Sequence, residues 1–475
     1  MSAMNNNIYY SPNSMFDGFG RVFFYNGKVY RAISKESAKE CLDLLNQPFF
    51  KELMDSCLIP KTIISDLSLP DVELILEHEK LLNIHQEEWG FSMFKDAVLM
   101  ILKIQNICEK YGYELKDAHT LNVLFKGSKP MYVDIGSFQK KEGKDWVAHE
   151  EFINSFYIPL CFWAEGKFYI TRKILESKFY RMQTIPDQKF CDSGLFDLLD
   201  AKPFRYEVLF RGKVVYTTQN AKSAKRLSNR LNKIASLLKG RSARVSSAPI
   251  IFDDRSTITR KIESMEFPES VSLWKGYHSK FYGKEGEVEL SDRFKNILGI
   301  IQKINSEDPL QSTLDLAGNE GLMSFLIKDR FNIPSVTLTD YDENAIEVAC
   351  RNRKESNLDI NILLLNFMFP PSIEDVSKRI KSDLVMALAV THHLVLTSKF
   401  VLSTIFERVR SYSNKYVLIE FMPKGLWSIE HREEVAVPDF YTLDWFKDEF
   451  SKYFDILQIE TLEENRILFV GKIKG

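Results

Sequence analysis

From residue 296 onward, apolar and polar positions switch between two periods. KNILGIIQKIN, LMSFLIKDRF and NAIEVACRNRK repeat apolar residues three and four apart, as one face of a helix does. Between them, STLDLAG, SVTLTDYD, INILLL, DLVMALAV and KYVLIEF are short apolar runs. Such runs interleaved with helices predict fully buried parallel strands in a doubly wound sheet with right-handed crossovers. The last two strands, FDILQIET and RILFVGKI, are joined only by LEEN, which permits nothing but an antiparallel hairpin.

The first half of the chain reads differently. RVFFYNGKVYRAI and YEVLFRGKVVY each predict a hairpin, the first turning at Asn26 and Gly27, and each leads into a helical segment. Residues 91 to 111 have a strong helical pattern that ends at Gly112. After the second hairpin, Ala224, Leu227, Leu231, Ile234 and Leu238 recur at helical spacing, with Lys222, Lys225, Arg226, Arg230 and Lys233 between them. The SARVSSAP stretch that follows reads as a linker, and a boundary falls near residue 260. The expected division is 1–204, then a hairpin, basic helix and linker over 205–260, then 261–475.

Composition narrows the class. A chain of 475 residues with 45% hydrophobic side chains excludes disorder and collagen-like structure and allows about three domains. The net charge of −2 hides a basic block, because Arg205 to Arg244 holds eleven Lys or Arg against one Glu. The plain reading of the 219–241 helix is a solvated cationic face packed on a neighbour; the other is contact with an anionic membrane or a polyanion. No sequence-specific nucleic-acid partner is expected. Cys41, Cys57, Cys108, Cys161, Cys191 and Cys350 lie far apart without a CxxC pair, which points to reduced thiols and no metal centre. The opening MSAMNNNIYYSPNSM lacks a basic region followed by an apolar one, and no apolar run nears the ~20 residues of a membrane span. The expected location is cytoplasmic, with any membrane contact peripheral at the inner face. Clusters such as FINSFYIPLCFWAEGKFYI, in a chain with 35 Phe and 19 Tyr, are expected to build core.

Candidate chemistry concentrates where the wound sheet should bind a ligand, at the carboxyl ends of its strands. The turn after its first strand is Asp315-Leu-Ala-Gly-Asn-Glu-Gly321, with Ala317, Gly318 and Gly321 small where a ligand would pass close to main chain. Asp315 can accept hydrogen bonds from a cationic amino group, and Asp340, closing the second strand, can accept both hydroxyls of a ribose. The GxGxxG of a dinucleotide dehydrogenase is missing.

Leu314 to Gly321, together with Asp340 and the terminal hairpin, resemble class I S-adenosylmethionine-dependent methyltransferases over about 200 residues. That resemblance implies a seven-stranded, Rossmann-like, mostly parallel sheet and S-adenosylmethionine as cofactor, with Asp315 near its methionine moiety and Asp340 on its ribose. Asn319 stands where the family most often has glycine, and Asn366 where many members place an acid against adenine. At the end of the fourth strand, Thr391-His392-His393 offers a general base for an alcohol acceptor: His392 or His393, but not both, since neighbours on an extended segment point opposite ways. Glu420, closing the fifth strand, is the alternative base. ALAVTHHL and IEFMPKG are similar to the nodulation-protein and surface-polysaccharide type of this family, which implies an O-methyl acceptor on a carbohydrate or cell-surface glycan precursor.

Residues 115 to 137, LKDAHTLNVLFKGSKPMYVDIGS, resemble the catalytic and metal-binding segments of protein kinases and small-molecule phosphotransferases. In those, residues placed as Asp117, Asn122 and Asp134 orient a hydroxyl and hold magnesium with ATP. Upstream, Gly18-Phe-Gly20 lacks the third glycine of a phosphate-covering loop, and Arg31 and Lys35 only approximate the nucleotide lysine. The resemblance therefore implies a degenerate α+β kinase-like scaffold over 1–204. The alternatives are a bifunctional kinase and methyltransferase, and a non-enzymatic adaptor with vestigial nucleotide folds.

Overall fold

A computed structural model of the chain describes residues 8–15, 17–127, 129–177, 204–210, 213–218, 221–237, 243–249, 255–268, 290–371, 373–426 and 436–474. Two compact units divide it. One gathers Met1–Leu81, Phe94–Leu124 and Pro130–Glu269; the other gathers Leu82–Met93, Phe125–Lys129 and Ser270–Gly475.

The first unit opens on an antiparallel sheet of Tyr9–Tyr10 (β1), Gly20–Tyr25 (β2), Lys28–Ile33 (β3), Thr62–Ile64 (β4) and Leu74–His78 (β5), in the order β1-β2-β3-β5-β4. The β2–β3 hairpin turns where the sequence predicts, with φ of +48° at Asn26 and +77° at Gly27, the pair of positive values that matches strand twist. Phe91–Lys110 is helical and Gly112, at φ +75°, ends it. Tyr113–Leu115 (β6) then pairs with Phe138–Lys140 (β9). Between them Val123–Lys126 (β7) pairs with Lys129–Tyr132 (β8). The aromatic cluster is core as expected, with Phe152, Phe156, Phe162 and Trp163 fully buried.

Further along this unit, Phe204–Phe210 (β10), Lys213–Thr218 (β11) and Arg244–Pro249 (β12) form a sheet of order β11-β10-β12. The helix Ala221–Leu237 packs on β10 and β11 and buries Ala224 and Ser228. Two expectations are corrected. The supposed linker contains a strand, with Arg244 to Pro249 paired antiparallel to Leu209 to Phe204. RVSSAP lacks the alternation of apolar residues by which a strand is recognised, and its place is fixed by backbone pairing instead. Ile234, assigned to the apolar stripe, is 49% exposed, while Leu238 lies outside the described residues.

The second unit is built on seven strands: Ser312–Leu316 (β13), Ser335–Asp340 (β14), Asn361–Leu364 (β15), Ser382–Ala387 (β16), Ser413–Phe421 (β17), Phe454–Glu463 (β18) and Arg466–Ile473 (β19). Their order is β15-β14-β13-β16-β17-β19-β18, parallel except that β19 runs against both of its neighbours. The direction in which successive strands are added reverses between β13 and β16, which sets a crevice at their carboxyl ends. All six residues of β16 are buried, as a central parallel strand with both faces covered requires.

The units do not follow the expected boundaries. Residues 205–260 belong with the first, whereas 82–93 and 125–129 belong with the second. Trp89, 1% exposed, meets Phe125 edge-on at 5.1 Å. The buried carboxylate of Glu88 accepts from Arg379 at 2.6 Å, and the same guanidinium reaches Asp375 at 2.7 Å. Chain continuity guided the sequence-based boundary, but packing joins segments nearly 300 positions apart. Truncating one partner of a buried ion pair strands the other charge. Glu88→Ala is therefore expected to destabilise the protein by about 3 to 5 kcal/mol in urea unfolding; an unchanged midpoint would mean that water already solvates Arg379.

Candidate active site

The bend after β13 is built from backbone that few residues tolerate. Ala317, Asn319 and Gly321 all have positive φ, at +54°, +53° and +85°. Asn tolerates this region better than most side chains, so its presence in place of glycine leaves the bend intact. Gly318 is needed for space: a Cβ there would fall 2.6 Å from the Asp315 carboxyl carbon and 2.5 Å from Leu338. Gly321 caps the helix Leu322–Arg330, whose first-turn N–H groups receive no side-chain cap from it.

Two carboxyl groups face this bend. Asp315 is 2% exposed, accepts a hydrogen bond from Ser324 Oγ at 3.1 Å, and burial pushes its pKa up to about 7. Asp340 accepts from the backbone of Asn319 at 2.8 Å and of Asp342 at 2.9 Å, which ties β14 to the bend; burial raises it to about 6. Asn366 is exposed, and its side-chain oxygen accepts from the amides of Met368 and Phe369 at 3.1 and 3.3 Å.

Across the crevice Glu420 is fully buried. Arg293 donates to both of its oxygens at 2.7 Å, Arg466 donates at 3.2 Å and the Ala389 amide at 2.7 Å. Burial pushes its pKa up, and the Arg293 and Arg466 guanidiniums more than reverse that, so the group stays ionised. The Glu420 carbonyl also accepts from Thr391 Oγ1 at 2.6 Å. Glu420 thus fastens the segment after β16 that carries the histidines.

That segment is helical at His392, with φ −65° and ψ −36°, so the expectation of an extended pair pointing opposite ways is corrected. Consecutive residues on a turn of helix are about 100° apart, and the two imidazoles lie 4.0 Å centroid to centroid. His392 is 4% exposed, its Nδ1 has no partner, and burial followed by the charges of His393, Arg466 and Arg293 lowers its pKa to about 2. His393 is half-buried and its pKa is lowered by burial alone.

An acid near the end of β13, a second closing β14, a left-handed bend after the first and the order β15-β14-β13-β16-β17-β19-β18 occur together here. The strand order of the second unit is the one that the resemblance to class I methyltransferases implies. No family model matches the chain. It is similar to nodulation protein NoeA of Rhizobium meliloti (strain 1021), 23% identical over 426 residues, which are 86% of this chain and 84% of that protein. Among solved structures, PH0226 protein from Pyrococcus horikoshii OT3 overlaps 42% of this chain and 99% of its own, with a TM-score of 0.34 and 18% identity. N-methyltransferase NodS from Bradyrhizobium japonicum WM9, in complex with S-adenosyl-L-homocysteine, overlaps 42% and 98%, with a TM-score of 0.32 and 10% identity.

Sequence reasoning missed Arg293, Arg466 and Ser324 in the second unit. Arg293 had a signal: a charged residue in register with the buried stripe Phe294, Ile297, Leu298 and Ile301 needs a buried counter-charge.

In the first unit, the three residues of the kinase-like reading are drawn to one place. Asn122 Nδ2 lies 3.2 Å from Tyr132 Oη and 3.5 Å from Asp134 Oδ2. Tyr132 Oη donates to the Asp117 carbonyl at 2.9 Å, and burial raises the Asp117 carboxyl. Arg31, buried on β3, donates to Asp17 at 3.0 Å and Asp134 at 3.4 Å, while Lys35 is exposed. Phe19 packs directly on Gly136, whose Cβ position would lie 2.8 Å from it. Among the described residues no group of three or more His, Cys, Asp or Glu is arranged to hold a metal ion.

Removing the Glu420 charge leaves Arg293 buried without its partner. Glu420→Ala is expected to cost about 3 to 5 kcal/mol and to raise amide exchange at residues 388 to 394; normal protection there would free that segment from Glu420.

Proposed function

We propose that the chain is an S-adenosylmethionine-dependent methyltransferase that methylates a hydroxyl of a carbohydrate or cell-surface glycan precursor, with the first unit serving as a kinase-like scaffold. The observation that carries the reading is Asp315. A buried carboxyl with a hydroxyl as its hydrogen-bond donor is held near neutrality, and a cationic amino group in the crevice would restore its charge. Asp340 suits a ribose diol, the bend leaves main chain bare beside it, and Asn366 keeps its amide NH2 for an adenine edge.

When bound, the cofactor supplies an electrophilic methyl group. The chain's part is to orient the acceptor and to take its proton. His393 is the better base of the two, because basicity falls with pKa and His392 scarcely accepts a proton at all. His392 then packs against His393 and fixes its ring, and Glu420, committed to two arginines, holds the loop rather than accepting the proton. The carbohydrate acceptor rests on the resemblance of ALAVTHHL and IEFMPKG to the nodulation and surface-polysaccharide type.

For the first unit, Arg31 supports a scaffold. Its guanidinium already compensates Asp134 and Asp17, supplying the positive charge that a magnesium ion would otherwise bring. A bifunctional kinase and methyltransferase requires Arg31 to leave Asp134, and the adaptor reading requires an inert Asp315.

Two outcomes follow. Affinity for S-adenosylhomocysteine, measured by calorimetry, should rise up to about tenfold per unit as pH climbs toward 7, because protonated Asp315 cannot pair with an ammonium. Asp315→Asn should abolish that dependence and lower affinity at least about tenfold; an unchanged pH profile removes Asp315 from the site. With labelled cofactor and a glycan acceptor, His393→Ala should slow transfer about 10² to 10⁴-fold and His392→Ala much less. In the same assay Asp134→Ala should stay near wild type, and a large loss would favour phosphotransfer.

A further inference from the structure

The β10–β12 module has no part in the chemistry above, yet it carries the strongest charge asymmetry in the chain. On its helix, Ala224 and Ser228 are buried against the sheet, whereas Lys225, Arg226, Arg230 and Lys233 are exposed. Arg226, Arg230 and Lys233 fall on the side away from the sheet, with Ile234 at their border and 49% exposed. Beside the helix, β11 is an edge strand of the sheet.

Edge strands of soluble proteins are usually blunted by charge, proline or a covering element. Here Val214 and Val215 are each 50% exposed and Tyr216 is 40% exposed. Successive strand residues point to opposite faces, so the edge is bare on both. The helix packs on β11 as well as β10, which brings a cationic arc and an apolar rim together in one small module.

We propose that this module docks the protein on an anionic phospholipid surface. A soluble polyanion would answer the arginines but gain nothing from bare valines and a tyrosine. A protein strand added to β11 would cover the valines but leave the cationic arc without a role. An anionic bilayer answers both: lipid charge faces the basic side chains, and the interfacial region takes up short apolar groups and tyrosine.

The full chain should co-sediment with phosphatidylglycerol-rich vesicles, not with phosphatidylcholine vesicles, and should release as salt rises. Each basic side chain at such a surface contributes on the order of fivefold in partitioning. The R226E/R230E double variant should therefore lose at least about 25-fold. V215D, which leaves the arginines in place, should also weaken binding severalfold. Both replace exposed side chains, and unchanged far-ultraviolet dichroism will show that they fold. Three results would overturn the proposal: no binding to either vesicle, binding to phosphatidylglycerol that V215D leaves unaltered while heparin competes fully, or self-association through β11 that accounts for the sedimentation.

Discussion

A charge taken out of water must find a counter-charge or a proton, and the carboxyl rim of the seven-stranded sheet meets that demand in two ways. Glu420 is compensated by the protein itself, through Arg293, Arg466 and the Ala389 amide. Asp315 and Asp340 are not; hydroxyl and amide donors reach them, and their pKa values climb. The compensated group holds the histidine segment still. In the proposed function, the uncompensated pair is where a cofactor from outside the chain would complete the electrostatics, so structure and chemistry divide along the same rim.

The strands of this sheet are legible because burial on both faces demands continuous apolar runs, and a run of four to eight such residues between helices is too short to be a buried helix itself. The bend at Asp315–Gly321 is legible only in part: small residues there are expected for close approach of a ligand, whereas what crowds Gly318 is the chain itself, the Asp315 carboxyl and Leu338. Arg466 left no comparable signal, since its partner lies across β17 and β19, in a pairing that only the folded sheet creates. The histidine geometry escapes the sequence pattern because β16 ends at Ala387, inside the apolar run, and the chain is already helical at Thr391. β12 was missed because backbone pairing leaves little trace in side-chain type.

In the first unit, the sequence pattern anticipated convergence, and Asn122 and Asp134 do meet. What spacing could not reveal is the guanidinium between Asp17 and Asp134, or Phe19 lying on Gly136. Both come from positions far from the motif in sequence. A motif fixes which groups can gather; the neighbours that gather with them decide the chemistry.

The placement of Leu82–Met93 in the second unit bears on how the protein is made. A ribosome releases Glu88 long before Arg379, and a nascent chain must keep that carboxylate from wrong partners until nearly three hundred more residues have emerged. Folding one unit at a time, in order of synthesis, is thereby closed to this protein: its second unit includes a piece translated before most of the first. Loops of that length close slowly, which makes this stretch the place where a chaperone would be most useful.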